Sequence, residues 1–220
     1  MFGGLVIGCL MGTACAVSPN ETVVVRPEPV AEERMEPSQP VVDPCAEGRE
    51  RFTLPTSVDR LDPRWEANHL VVVRKAARRV LLFASGEQVG CWSAGLGFAP
   101  EGHKTREGDG RTPEGWYRTS DKPTSRYYHA IAVHYPNLVD ATRGVADGRI
   151  DADTQRQIES ALASDRKPPQ GTALGGEILL HGGGSGSDWT LGCVALDNAD
   201  IDALRDALPK DLRADVLVLP

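Results

Sequence analysis

Residues 178 to 196 read ILLHGGGSGSDWTLGCVAL, and the fold and the chemistry both follow from this stretch. The apolar run before His181 is typical of a buried strand. The glycine-rich loop that follows can bend the chain back, so that His181 and Cys193 come within hydrogen-bond distance. A histidine beside a cysteine can take its proton and leave the nucleophilic thiolate. Gly192 would let a carbonyl group approach, and the backbone amides around it could stabilise an oxyanion.

The residues alone leave two other interpretations open. A cysteine is often a small buried hydrophobe, and a histidine that ends a strand is often satisfied by backbone groups. His181, Asp188 and Cys193 could also be metal ligands, but no fourth ligand stands at a familiar spacing.

Strand-like patterns lie on both sides of this stretch. Two short helices are expected, one beginning near Asp151 and one carrying Ile201 and Leu204, and Asp197 is expected to cap the second. The pattern predicts a mainly β fold with small helices, a curved β-sheet domain rather than alternating βαβ units. The predicted strands are 69–74, 79–84, 88–96, 115–119, 130–135, 177–181 and 214–219.

Composition limits the classes of function. The chain has 220 residues, which is enough for one domain with a real core, and its formal net charge is -7. An acidic chain gives no support to nucleic-acid binding or to electrostatic docking on anionic lipid.

The first fifty residues differ from the rest. Residues 1–17 are uncharged and apolar, and we interpret them as an export or lipoprotein signal, with Cys9 or Cys15 as the lipidation site. Residues 18–50 alternate proline with glutamate and predict an extended tether. The catalytic domain is expected over residues 66–220. This arrangement predicts a protein of the periplasm or cell envelope, with membrane anchoring through a lipidated cysteine as one form.

Three cysteines remain beyond the leader: Cys45, Cys91 and Cys193. An odd number leaves at least one thiol without an intramolecular partner, and such a thiol is a candidate reactive group. Cys45 and Cys91 can form a disulfide or stay separate.

Four motifs together resemble the L,D-transpeptidase (YkuD-type) family. His181-Gly182 followed by Thr190-Leu191-Gly192-Cys193 resembles its HG…[ST]xGC signature. The others are GDGRTPEG at 108–115, YPN at 135–137 with Asp140, and LGGEI at 174–178. They occur in the family's order and span about residues 69 to 219.

The resemblance implies an L,D-transpeptidase-like curved β-sheet domain that acts on peptidoglycan stem peptides. Cys193 would attack the carbonyl of the third residue of a tetrapeptide stem, D-alanine would leave, and an amine would resolve the thioester. His181 would act as base and then as acid, oriented by a backbone carbonyl such as that of Gly182. No metal or organic cofactor is needed. Thr190, Gly182 and Gly192 would support the site, and Arg111, Tyr128 and Trp189 are candidates for substrate binding.

One departure from the family pattern concerns the outcome of the reaction. Many members carry arginine two residues after the cysteine, where this chain has Ala195. That leaves three hypotheses: a transpeptidase, a hydrolase (carboxypeptidase or amidase) on the same scaffold, and a non-catalytic wall-binding module. An intact histidine–cysteine pair argues against the last, because binding alone needs no base beside a thiol.

Overall fold

A computed structural model of the chain describes residues 45–46, 52, 54 and 58–220. Within them, eight strands and three α-helices follow a short 3-10 helix at Pro63–Glu66. The strands are β1 (His69–Arg74), β2 (Arg79–Ala84), β3 (Glu87–Ser93), β4 (Gly115–Asp121), β5 (Ile131–Val133), β6 (Leu179–His181), β7 (Val194–Ala195) and β8 (Asp215–Leu219). The helices are α1 (Leu138–Ala146), α2 (Ala152–Ala163) and α3 (Asn198–Ala207). All seven predicted strands and both predicted helices are confirmed.

The strands form one mixed sheet in the order β3-β2-β1-β8-β4-β5-β6-β7. β8 pairs parallel to β1 and antiparallel to β4, and the β6–β7 pair is also parallel. Beyond β3 the chain forms isolated bridges to the far end of the sheet, at Gly95 with Ala195 and at Gly97 with Thr190. The sheet therefore curls into a half-barrel, as the predicted fold class requires.

Apolar residues cover both faces of the sheet, which explains why β1 reads as a continuous apolar run. On one face, Val71 and Val73 pack with residues of β8 and α3. On the other, Leu70 and Val72 pack with Trp65, Trp116 and the preceding segment, including Phe52 and Val58.

Two features differ from the sequence-based expectation. Asp197 precedes α3 but makes no side-chain cap. Its carboxylate instead accepts the Ser185 amide at 3.0 Å, so it holds the glycine-rich loop against the helix. Helix α1 was not predicted, because Leu138 and Val139 at its start are half-exposed and give no buried periodicity. Asn137 and Asp140 form a capping box that begins this helix.

A disulfide joins Cys45 to Cys91 on β3. It anchors the end of the predicted tether to β3, which is an edge strand of the sheet. The predicted signal, residues 1–17, and the rest of the predicted tether lie outside the described residues. None of the described helices has the length and apolar character needed to cross a membrane.

Candidate active site

Strands β6 and β7 bring the two predicted catalytic side chains to one face of the sheet. His181 lies opposite Ala195 in the parallel pair, and Cys193 directly precedes β7. Side chains alternate along a strand, so His181 and Cys193 share a face while Leu180 and Val194 point into the main core. The two candidate groups are therefore diagonal neighbours on adjacent strands.

Histidine 181 is held as a neutral base. Its Nδ1 lies 2.6 Å from the Gly182 carbonyl oxygen, and since a carbonyl can only accept, Nδ1 carries the proton. Nε2 is then a bare acceptor, and it is buried without a hydrogen-bond partner among the described residues. Burial lowers the pKa of His181 below its usual value, opposed by the bond to Gly182. The imidazole therefore stays uncharged near neutral pH.

Aromatic rings fix the plane of this imidazole. Tyr127 stacks on His181 with ring centroids 4.1 Å apart, and Trp189 meets its edge at 5.6 Å. The Trp189 indole is anchored by a hydrogen bond to the Gly184 carbonyl. The ring of His181 can therefore rotate little.

The Cys193 thiol is only 8 % exposed and donates to the Glu177 carbonyl at 3.4 Å. Burial raises the pKa of Cys193 to about 11, with partial opposition from a backbone hydrogen bond at Leu179 and from the charges of Lys104 and Arg126. Cys193 is thus a neutral thiol at rest.

The spacing of the motif predicts a hydrogen bond between Cys193 and His181, and the structure does not contain it. His181 is in register with Ala195 rather than with Cys193, and the thiol is directed to Glu177. Nε2 of His181 is an acceptor without a partner among the described residues, and it can therefore accept a hydrogen bond from this thiol. Hydrogen bonds of this sort often form only in the substrate complex.

Thr190 shapes the turn that carries the cysteine. Its hydroxyl donates to the Cys193 carbonyl at 2.8 Å and accepts the Gly192 amide at 3.0 Å. The Gly192 amide is therefore occupied and is not a free oxyanion donor. Gly192 has φ +127°, and a Cβ there would meet the Arg111 carbonyl oxygen at 2.6 Å. Glycine is needed at this position for the backbone itself.

Of the three residues predicted to bind substrate, Arg111, Tyr128 and Trp189, one contacts His181. Arg111 contributes its carbonyl to the packing of Gly192, and it does not line the cavity at Cys193. Tyr128 donates to Asp202 at 2.8 Å and covers Gly182, where an added Cβ would meet its ring. Trp189 contacts His181 directly.

The cavity beside Cys193 has a volume of about 540 Å³. Its lining includes Arg126, Tyr127 and Glu177, and none of these three was among the site residues predicted from the sequence. Glu177 is fixed by Lys122 at 2.7 Å and Lys167 at 3.0 Å, which steadies the carbonyl that receives the thiol. Tyr127 had a signal in the sequence, as part of the aromatic pair before β5. Within the described residues, no group of three or more His, Cys, Asp or Glu side chains could hold a metal ion.

The curled sheet thus carries a buried histidine and a buried cysteine on one face, on adjacent strands. A family model described as YkuD, L,D-transpeptidase catalytic domain, matches residues 68–216. The chain therefore belongs to the YkuD family of L,D-transpeptidase catalytic domains.

Individual relatives are similar over shorter stretches. YafK of Escherichia coli K12, whose name places it among the L,D-transpeptidases, is 45% identical over 56 residues, covering 24% of this chain and 21% of that protein. The chain thus matches about a fifth of the length of this curated relative.

Two solved structures are similar in outline. The helical cell shape determining protein Pgp2 from Campylobacter jejuni has 23% identity and a TM-score of 0.47, covering 70% of this chain and 48% of that one. An L,D-transpeptidase from Xylanimonas cellulosilytica has 15% identity and a TM-score of 0.40, covering 76% and 64%. The family assignment rests on the match over residues 68–216.

Proposed function

We propose that this chain is an exported L,D-transpeptidase that forms a Cys193 thioester on peptidoglycan tetrapeptide stems, in cell-wall crosslinking or remodelling. One observation carries the proposal. The Nδ1–H of His181 is committed to the Gly182 carbonyl, which leaves Nε2 as a bare base on the face of the sheet that bears Cys193. Burying an acceptor without a partner costs free energy, and a role as the base for Cys193 would account for that cost at His181.

Acylation would proceed as a proton transfer joined to nucleophilic attack. The Cys193 thiol proton passes to Nε2 of His181 as the sulfur bonds to the carbonyl carbon of the third stem residue. The bond from that carbon to the D-alanine nitrogen then breaks, and the imidazolium returns its proton to the departing amine. Because both groups are neutral at rest, no charge has to be buried before substrate arrives.

The thioester would be resolved by an amine of a second stem. His181 takes a proton from the attacking amine, the new amide forms, and the thiolate leaves and recovers that proton. Gly192 is held by Thr190, so the 190–193 turn can keep its shape through both steps.

Export is supported by the disulfide between Cys45 and Cys91, since such bonds persist in oxidising compartments. The uncharged leader at residues 1–17 fits the same setting. Fractionation of cells should find the protein in the envelope, and palmitate labelling with Cys9→Ala and Cys15→Ala variants would identify a lipidated cysteine. Recovery of full-length protein from the cytosol would contradict the proposed setting.

A hydrolase is the second candidate, and one observation favours it. Ala195 is fully buried opposite His181, so the position where many family members carry arginine offers no charge to an incoming acceptor. Water could then compete for the thioester.

The two outcomes separate when a tetrapeptide donor is mixed with rising amounts of acceptor muropeptide. A transpeptidase gives crosslinked dimers at the expense of tripeptide as acceptor rises. Cys193→Ala is the matched control, and mass spectrometry should find an acyl group only on the wild type. Tripeptide as the sole product at every acceptor concentration would favour the hydrolase, and no acyl-enzyme from any stem would reject both.

A further inference from the structure

Among the described residues that line the cavity at Cys193, one cation, Arg126, forms no ion pair with a carboxylate. Lys104 and Lys122 also line this cavity, and each forms an ion pair with a neighbouring carboxylate, at 2.9 and 2.7 Å. Arg126 is exposed, and no Asp or Glu among the described residues forms an ion pair with it. An unpaired guanidinium in a substrate cavity is free to bind an anion.

Arg126 is held close to the base of the reaction. Its guanidinium carbon lies over the Tyr127 ring, 5.3 Å from the centroid, and the same ring stacks on His181 at 4.1 Å. The Tyr127 amide donates to the Ser125 hydroxyl at 3.0 Å, which fixes this part of the β4–β5 connection. The guanidinium carbon is therefore no farther than about 9.4 Å from the centre of the imidazole, the sum of these two distances.

We infer that Arg126 binds the C-terminal carboxylate of the donor stem peptide, so that the enzyme requires a free acid one residue beyond the bond it breaks. This inference rests on the proposed function and names a specificity residue for that same site. It predicts an enzyme that acts at the free ends of stems and not on bonds inside longer peptides.

The distances are compatible with this role. One residue of extended chain places the terminal carboxylate carbon about 3.6 Å beyond the scissile carbonyl. A bidentate ion pair puts the guanidinium carbon about 4 Å from the carboxylate carbon. The span from the scissile carbonyl to Arg126 is then roughly 7–8 Å. Cys193 and Arg126 line the same cavity of about 540 Å³, which has room for a span of that length.

The electrostatics of the site point the same way. Position 195, where many family members carry arginine, holds a fully buried alanine and supplies no charge. Arg126 supplies a charge from a different element, and that charge opposes, in small part, the rise that burial causes in the pKa of Cys193.

The test compares two donors, a tetrapeptide stem with a free C-terminal acid and the same stem as a C-terminal carboxamide. Release of D-alanine or D-alaninamide gives kcat/KM for each. The variants are Arg126→Gln and Arg126→Lys, with Arg156→Gln on the exposed face of α2 as a control for net charge. Thermal melting checks that all variants are folded.

The wild type should prefer the acid by roughly ten- to a hundredfold, the range for a hydrogen bond to a charged group. Arg126→Gln should lower kcat/KM for the acid by that factor more than it lowers kcat/KM for the carboxamide, so that the preference disappears. Arg126→Lys should keep part of the preference, and Arg156→Gln should keep all of it. An equal acid preference in wild type and Arg126→Gln would overturn the inference while leaving the proposed function intact. A folded wild type that releases neither product would overturn the proposed function and this inference with it.

Discussion

At the scale of single residues, the candidate site combines two groups that are both neutral near pH 7. The thiol of Cys193 has a raised pKa, and His181 has a lowered one. The raised pKa disfavours the thiolate of Cys193, and the lowered pKa disfavours the imidazolium of His181, so the pair is not an ion pair at rest. Together the two shifts suit a nucleophile–base pair in which the proton moves only when substrate is present.

The first prediction concerns the nucleophile. Cys193→Ala should lower turnover by roughly a thousandfold or more, because no thioester can form. Cys193→Ser should be nearly as inactive, since a hydroxyl is much harder to deprotonate. Steady-state release of D-alanine measures both, and a melting curve shows whether the domain stays folded. Wild-type rates from the alanine variant would remove Cys193 from the mechanism.

The second prediction concerns the base. His181→Gln should slow acylation by roughly a hundredfold or more, the contribution of a positioned general base. In the wild type, activity needs a neutral imidazole, and burial keeps the pKa below its usual value of about 6.5. Activity should therefore be constant through neutral pH and fall only as the pH drops through that lowered pKa.

The acid fall in activity must be separated from unfolding. The pKa of His181 is lowered in the folded state, so the stability that it contributes is present above about pH 6.5 and is lost as the pH falls further. Circular dichroism at each pH detects that loss. An acid limb that is identical in wild type and His181→Gln would exclude His181 as the titrating base.

At the scale of elements, the 190–193 turn and the short strand β7 position the nucleophile. Thr190 is buried and its hydroxyl makes both hydrogen bonds that close the turn. A two-residue strand has little pairing of its own, so we expect this hydroxyl to matter for the placement of Cys193.

The third prediction tests that expectation with a matched pair. Thr190→Val keeps the shape but leaves the Gly192 amide and the Cys193 carbonyl unpaired, and should cost about 1–3 kcal/mol of stability. Activity should fall by roughly tenfold or more, as expected for a misplaced nucleophile. Thr190→Ser keeps the hydroxyl and should stay near wild type in urea denaturation and turnover. Equal behaviour of the two variants would show that the hydroxyl has no role in the turn.

Periodicity and motif spacing predict the elements that bury an apolar stripe or run. Strands β1, β2, β4, β5, β6 and β8 and helices α2 and α3 belong to this group. β7 has only two residues, and α1 begins with half-exposed Leu138 and Val139, so neither leaves such a pattern. The predicted helix cap at Asp197 is wrong for a different reason. The carboxylate of Asp197 accepts a hydrogen bond from the Ser185 amide instead of from an amide of α3.

The candidate site is predictable from its motif only in part. The motif leads to His181, Cys193 and the carbonyl of Gly182. It does not lead to Tyr127 or Arg126, because these approach the pair from the connection between β4 and β5. Glu177 stands in the LGGEI motif, but the motif does not show that its carbonyl accepts the Cys193 thiol. The choice of Tyr128 over Tyr127 as a candidate shows that limit, since one step along the chain moves a side chain to another environment.

At the scale of the whole molecule, the disulfide ties the segment before the sheet to β3. Cys45 and Cys91 are separated by 46 positions, so the bond closes a long loop in the unfolded chain.

The fourth prediction follows from that loop. Reduction, or the double change Cys45→Ala and Cys91→Ala, should lower the free energy of unfolding by about 2–4 kcal/mol. Urea denaturation with and without reductant measures it, in a background with Cys9→Ala, Cys15→Ala and Cys193→Ala so that no other thiol exchanges. The double variant should not respond to reductant. An unchanged midpoint on reduction would show that this bond does not contribute to stability.

The position of β8 in the sheet limits the order in which the fold can form. Leu70 of β1 pairs with Asp215 of β8, and β8 in turn pairs with β4, so the centre of the sheet waits for residues synthesised after both His181 and Cys193. Pairing across such a distance along the chain is slow. Under the proposed export, the centre of the sheet could therefore close only after β8 had crossed the membrane.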